Sequence, residues 1–145
     1  MATPDYVALV AAAQAARQRA YAPYSRFAVG AAVLTASGRL FHGCNIENAA
    51  YPATICAERA ALFAAWSAGE RDIVALAVVA DTAGPISPCG SCRQVMLELA
   101  PHATILLANL GDALQITTPS LLLPGGFTPD NLGSGVGVLG PGRTI

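Results

Sequence analysis

Lysine is absent from the chain, and all eight basic residues are arginine. That absence excludes Schiff-base catalysis through a lysine amine and a phosphate-gripping Walker A loop, both of which need one. Charge of either sign is scarce, at 12% of residues with a net of −1. A chain so poor in charge and 54% apolar is not disordered. Its near-neutral balance argues against a nucleic-acid partner, whose phosphates attract a basic surface. No uncharged stretch is both long and free enough of proline to span a bilayer. The opening Met1-Ala2-Thr3-Pro4-Asp5 lacks the basic region of a signal peptide. These absences lead to the expectation of a soluble, cytoplasmic protein with no membrane and no nucleic-acid partner. What is present is 145 residues, enough for one domain with a full core. The apolar excess also implies surface that a partner subunit covers.

Thr3-Pro4-Asp5 predicts a helix start, with the Thr3 hydroxyl as cap and proline in the first turn, and an Ala-rich helix running to about Ala20. Tyr21 to Ser25 breaks it. Phe27 to Leu34 and Arg39 to Asn45 read as strands joined by Ala36-Ser37-Gly38, a hairpin. Thr54 is placed to cap a helix from Ile55 to Ala68 that stops at Gly69. Asp72 to Ala80 is apolar on both faces, as in a central strand. A helix from Cys89 to about Leu99 follows, then strands at Thr104 to Asn109 and Leu114 to Thr117, and a helical turn at Pro119 to Leu123. This order predicts a three-layer α/β/α domain around a mixed, roughly five-stranded sheet over residues 1–132. The Gly- and Pro-containing tail, 133–145, has no periodicity and is left unassigned.

Cys56-Ala57-Glu58 and Pro88-Cys89-Gly90-Ser91-Cys92 carry the chemistry. Without a sign of secretion, clustered cysteines point to a metal or to catalysis and not to disulfides. Cys56, Cys89 and Cys92 supply three thiolates, one short of a closed tetrahedral zinc site, and a fourth position left open suits a water. Cys89 and Cys92, three apart, face one way on a first helical turn, and Cys56 lies in the first turn of its own predicted helix. Two helix starts then converge on one ion, and their partial positive charge favours thiolate over thiol. Three thiolates outweigh the charge of Zn²⁺ by one, which weakens it as a Lewis acid. Arg59, three residues after Cys56, is expected to withdraw charge by donating to a ligand sulfur; Arg93 is less well placed for this. Glu58 lies about 200° around a regular helix from Cys56. It is therefore expected not to ligate but to shuttle protons.

Plainer readings stand beside these. Cys44 would complete a closed, structural four-cysteine site, although its spacing of twelve from Cys56 favours a small buried hydrophobe. A glutamate on a helix is usually solvated. His42 and His102 have no ligand spacing to anything. Asn45 and Glu47 alternate around Ile46, so in an extended segment they share a face and are able to grip a hydroxyl; the same pair also suits a turn. A carboxylate there would repel a phosphate close by, favouring an unphosphorylated ligand.

With these residues in view, the chain resembles the small, homotetrameric cytidine deaminases from about Tyr21 to Leu132. The Cys-x-Glu and Pro-Cys-x-x-Cys pair is the signature of the zinc deaminases at large. Tyr24-Ser25-x-Phe27 and Asn45-x-Glu47 narrow the likeness to the nucleoside branch, and Leu122-Leu123-Pro124-Gly125-Gly126-Phe127 extends it. The resemblance implies hydrolytic deamination of cytidine and deoxycytidine to uridine and deoxyuridine, with one zinc ion per subunit and water attacking C4, in pyrimidine salvage. It implies Glu58 as proton carrier and Phe27 packed on the pyrimidine. Asn45 and Glu47 would bind the ribose 3′-hydroxyl, and the backbone near Ala57 and Ser87 would read the base edge. Tyr51 and Phe127 would reach into a neighbouring subunit's site, so that sites are shared within a tetramer. The rival reading is a deaminase of another aminopyrimidine nucleoside such as blasticidin S. The tail from Gly133 matches no motif of the family.

Overall fold

The computed structural model of the chain describes residues 3–133. All of the unassigned tail except Gly133 lies outside the described residues. Helix α1 spans Tyr6–Arg17, and a hairpin of β1 (Val29–Thr35) and β2 (Leu40–Cys44) follows. Next come a 3₁₀ turn at Tyr51–Ala53, α2 (Ala57–Ser67), β3 (Ile73–Ala80), α3 (Gly90–Leu99), β4 (Thr104–Asn109) and β5 (Leu114–Thr117). A short α4 (Pro119–Leu122) and a 3₁₀ turn at Pro129–Leu132 end the described chain.

The strands form one five-stranded sheet in the order β2-β1-β3-β4-β5. β1 pairs antiparallel with both β2 and β3, and β4 pairs antiparallel with β5. β3 and β4 are parallel. A parallel pair needs a crossover, and α3 supplies it. Alternation along the strands builds a core on each face. Val29, Ala31, Val33, Leu76, Val78, Ala80, Ile105 and Leu107 pack with residues of α2 and α3. Ala32, Ala75, Ala77, Val79, Leu106 and Ala108 pack with Leu9 and Ala13 of α1. The mixed sheet between helical layers is the architecture that the element order predicts. β3 is covered on both sides, which is why its apolar run shows no alternation.

Two helix starts differ from expectation. Asp5 caps α1, its Oδ1 accepting from Ala8 N at 2.9 Å, and not Thr3. A carboxylate two residues nearer the first turn completes the cap that the Thr3 hydroxyl is too early to make. Helix α2 begins two residues later than Ile55, because Ile55 is bonded to Ile46 in both directions at 3.0 Å. Thr54 therefore does not cap α2, and its hydroxyl accepts from Asn48 N at 3.1 Å. Among the described residues no helix is long and apolar enough to cross a membrane.

Candidate metal centre and substrate cleft

Cys56 is the N-cap of α2 and Cys89 the N-cap of α3, and neither side chain makes a capping hydrogen bond. Neither sulfur is taken up by its own helix start, and Cys92 sits within the first turns of α3. The three Sγ atoms lie within 4.8 Å of one another, with Cys56 and Cys89 3.8 Å apart. Thiolates at the usual Zn–S distance of about 2.3 Å around a tetrahedron stand about 3.8 Å apart, so the donor set fits zinc. Cys44 is not part of this cluster. It is half-buried at the end of β2, beside a hollow lined by Ala16, Arg19, His42 and Ala60. The closed four-cysteine reading therefore fails on geometry, and burial raises the Cys44 thiol's pKa.

Arg59 Nη2 donates to Cys56 Sγ at 3.3 Å, the contact expected from its position one turn on. In the metal-free chain the Cys56 thiol is lowered to about 5 by hydrogen bonds from Cys92, Arg59 and Cys89 and by the Arg59 charge, against the opposing effect of burial. Cys92 moves the other way, because it donates to Cys56 and is buried.

Glu58 is 4% exposed, which removes the reading of a solvated helix glutamate. Burial pushes its carboxyl pKa up, and the Cys56 charge adds to that. Its own backbone amide and the Cys92 thiol act in the opposite direction. The 200° argument does not describe how Glu58 is placed. Cys56 has extended dihedrals (φ −78°, ψ 154°) and lies outside the helix, so the two residues do not share its rotation.

Glu58, Cys56, Ala57 and Cys89 line a cleft of about 270 Å³. Its other walls include Phe27, Asn45, Glu47, Ser87, Ile86 and Thr54. Asn45 and Glu47 do share a face, in a segment bonded to Tyr21 on one side and Ile55 on the other. Both are also tied to the loop before β1. Asn45 Oδ1 accepts from Val29 N at 2.8 Å, and its Nδ2 donates to Phe27 O at 2.7 Å. Glu47 Oε1 accepts from Tyr24 N at 2.9 Å and Ser25 N at 3.1 Å. The Ser25 hydroxyl and these amides hold its carboxyl below the ordinary range. The turn-organising role of this pair is thus present beside its place in the cleft. Tyr51 and Phe127, 70% and 56% exposed, do not line their own chain's cleft. Sequence reasoning missed Ile86 and Thr54 as wall residues, since no pattern marks an aliphatic or a threonine as cleft-facing. A second hollow, between α1 and the β4–β5 turn, is lined by Tyr6, Val10 and Leu114 and holds none of the sulfurs.

The family model described as cytidine and deoxycytidylate deaminase zinc-binding region matches residues 4–108, a span that includes all three clustered cysteines. The chain belongs to the cytidine deaminase family. It is 55% identical over 129 residues to a cytidine deaminase of Halalkalibacterium halodurans, covering 88% of this chain and 98% of that one. A cytidine deaminase of Sporosarcina psychrophila is 52% identical over 129 residues, with 88% and 95% covered. The crystal structure of cytidine deaminase from Burkholderia pseudomallei superposes with a TM-score of 0.83 at 52% identity, covering 86% of this chain and all of that one. As in its family, this deaminase takes one zinc ion per subunit, and the cluster of Cys56, Cys89 and Cys92 is a donor set that fits it.

Proposed function

We propose that the chain hydrolyses cytidine and deoxycytidine to uridine and deoxyuridine, releasing ammonia, as an enzyme of pyrimidine salvage in the cytoplasm. The observation that carries this reading is a buried carboxyl, Glu58, beside three clustered cysteine sulfurs at one end of a nucleoside-sized cleft. Zinc held by those sulfurs supplies a Lewis acid that eases deprotonation of water at neutral pH. Glu58 takes a proton from the attacking water, carries it to N3 of the base, and then assists protonation of the amino group leaving C4. Water adds at C4, the C4–N bond breaks, and the departing nitrogen leaves as ammonia. A carboxyl whose pKa is raised by burial is suited to both halves of that transfer. Arg59 offsets the surplus thiolate charge through Cys56.

Phe27 packs on the pyrimidine face, the backbone at Ala57 and Ser87 reads its edge, and Asn45 and Glu47 bind the ribose 3′-hydroxyl. The carboxylate of Glu47 disfavours phosphorylated substrates by like-charge repulsion. Tyr51 and Phe127 complete the site of a neighbouring subunit in a homotetramer. Their exposure, beside that of Tyr24, Leu121 and Leu132, supports this assignment.

The test is ammonia release from cytidine by the purified protein, before and after zinc removal and restoration. Release that stops with chelation and returns with zinc is expected. A folded, zinc-loaded protein that releases none from cytidine or deoxycytidine overturns the substrate assignment.

A further inference from the structure

Arg93 follows a metal ligand in sequence but makes its hydrogen bonds away from the sulfurs. Its Nε donates to Pro88 O at 2.8 Å, Nη1 to Leu122 O at 2.7 Å and Nη2 to Ser87 Oγ at 2.8 Å. The next residue extends the pattern, as Gln94 Nε2 donates to Phe127 O at 2.7 Å. Arg93 thus bridges the end of α4 and the segment that leads into Cys89, while Gln94 holds the chain beyond α4 to α3.

That leading segment has little else to hold it. Ser87 to Cys89 lies outside regular secondary structure, and the backbone bond just before it, Ile86 N to Ala108 O, is long at 3.4 Å. The Cys89 side chain is exposed and makes no capping hydrogen bond. Cys89 is tied forward to α3 by the bond from Arg93 N to its carbonyl at 3.0 Å, and the backbone before it is held at Pro88, whose carbonyl the Arg93 side chain grips. A guanidinium is a rigid planar fork, able to hold three acceptors in three directions at once.

We propose that Arg93 is a positioning residue of the metal centre: it fixes the Ser87–Pro88 step against α4 and thereby sets where the Cys89 sulfur stands relative to Cys56 and Cys92. The inference rests on the three-cysteine metal site and not on the substrate. Failure of the cytidine assignment would leave it standing.

The test uses the full chain carrying Arg93→Lys or Arg93→Met, stripped of zinc and reloaded with Co²⁺. Thiolate-to-cobalt absorption reports the arrangement of the sulfurs, and competition with a chromophoric chelator reports zinc affinity. Both variants are expected to show altered cobalt bands and a loss of zinc affinity of about 10–100-fold, the usual effect of removing a residue that orients a ligand. The lysine keeps charge and length but has no fork, so it does not rescue. A purely stabilising role lowers the melting temperature while leaving both metal readouts at parental values, and that result overturns the proposal. Where Arg93→Met fails to fold, Arg93→Lys decides alone.

Discussion

Arg59 and Cys56 sit one helical turn apart across the start of α2, and their contact has a pH signature. Without metal, the Cys56 thiol is lowered to about 5, and Arg59 contributes both a hydrogen bond and a charge to that shift. Only the thiolate attacks iodoacetamide. Cys56 of the metal-free protein should therefore be alkylated readily at neutral pH, and the rate should fall as pH drops through about 5 and the proton returns. Arg59→Ala removes a stabiliser of the anion, so its midpoint should move up toward the ordinary thiol value of about 8.5. The same variant should lose about 10–100-fold in zinc affinity. Mass spectrometry of the Cys56 peptide across a pH series reads the first effect, and an unmoved midpoint removes Arg59 from the charge balance. Cys56, Glu58, Cys89, Cys92 and Arg59 are legible in the sequence because metal and proton chemistry demand particular side chains at short spacing. Arg93 is not. Its acceptors at Ser87, Pro88 and Leu122 come from two chain segments that only the fold brings together. The hydrogen bonds by which Asn45 donates to Phe27 O and accepts from Val29 N are hidden for the same reason.

At the scale of elements, two glycines set how closely the helices approach the sheet. A Cβ on Gly30 would strike the Ala13 carbonyl and stand 2.5 Å from Arg17 N, both in α1. A Cβ on Gly43 would strike the Ala57 carbonyl and stand 2.5 Å from Ala61 N, both in α2. The obstructing atoms are backbone, so each alanine has to displace a helix, at a cost of about 1–3 kcal/mol. The two displacements differ in consequence. α2 carries Glu58 and is capped by Cys56, whereas α1 packs on the opposite face of the sheet. Gly43→Ala should lower zinc affinity and kcat together with the melting temperature. Gly30→Ala should lower the melting temperature while zinc affinity stays near the parental value. Equal loss of metal binding in the two variants would contradict this division of labour. The elements themselves are legible because each carries its own periodicity and breaker, and β4 and β5 match the sequence reading to the residue. The start of α2 is not. Its boundary is decided by the pairing of Ile55 with Ile46, a tertiary bond without a local signal.

For the whole molecule the open question is where the exposed aromatic residues go. Tyr51 and Phe127 protrude and do not reach their own chain's cleft, and charge is too sparse to cover the apolar surface around them. If Phe127 serves a neighbour's site, two crippled chains should repair each other. Glu58→Gln removes the proton carrier but leaves Phe127 to donate, with an expected loss of about 10²–10⁴-fold in turnover. Phe127→Ala keeps Glu58 but donates nothing, and truncating a buried aromatic contact should lower kcat/KM by about tenfold or more. In mixed oligomers half the subunits carry Glu58, and half of their donors carry Phe127. Equal mixing should therefore restore about a quarter of the parental activity when each site draws on one neighbour in a closed symmetric assembly. Co-expression with two different affinity tags isolates the hybrids, and light scattering should find four chains in each. Activity no greater than the average of the two parents, in verified hybrids, would place Phe127 outside the neighbour's site. Recovery near a quarter would instead tie the exposed apolar surface, the low charge and the shape of the cleft to one cause. Each chain would leave its site unfinished for another copy to close.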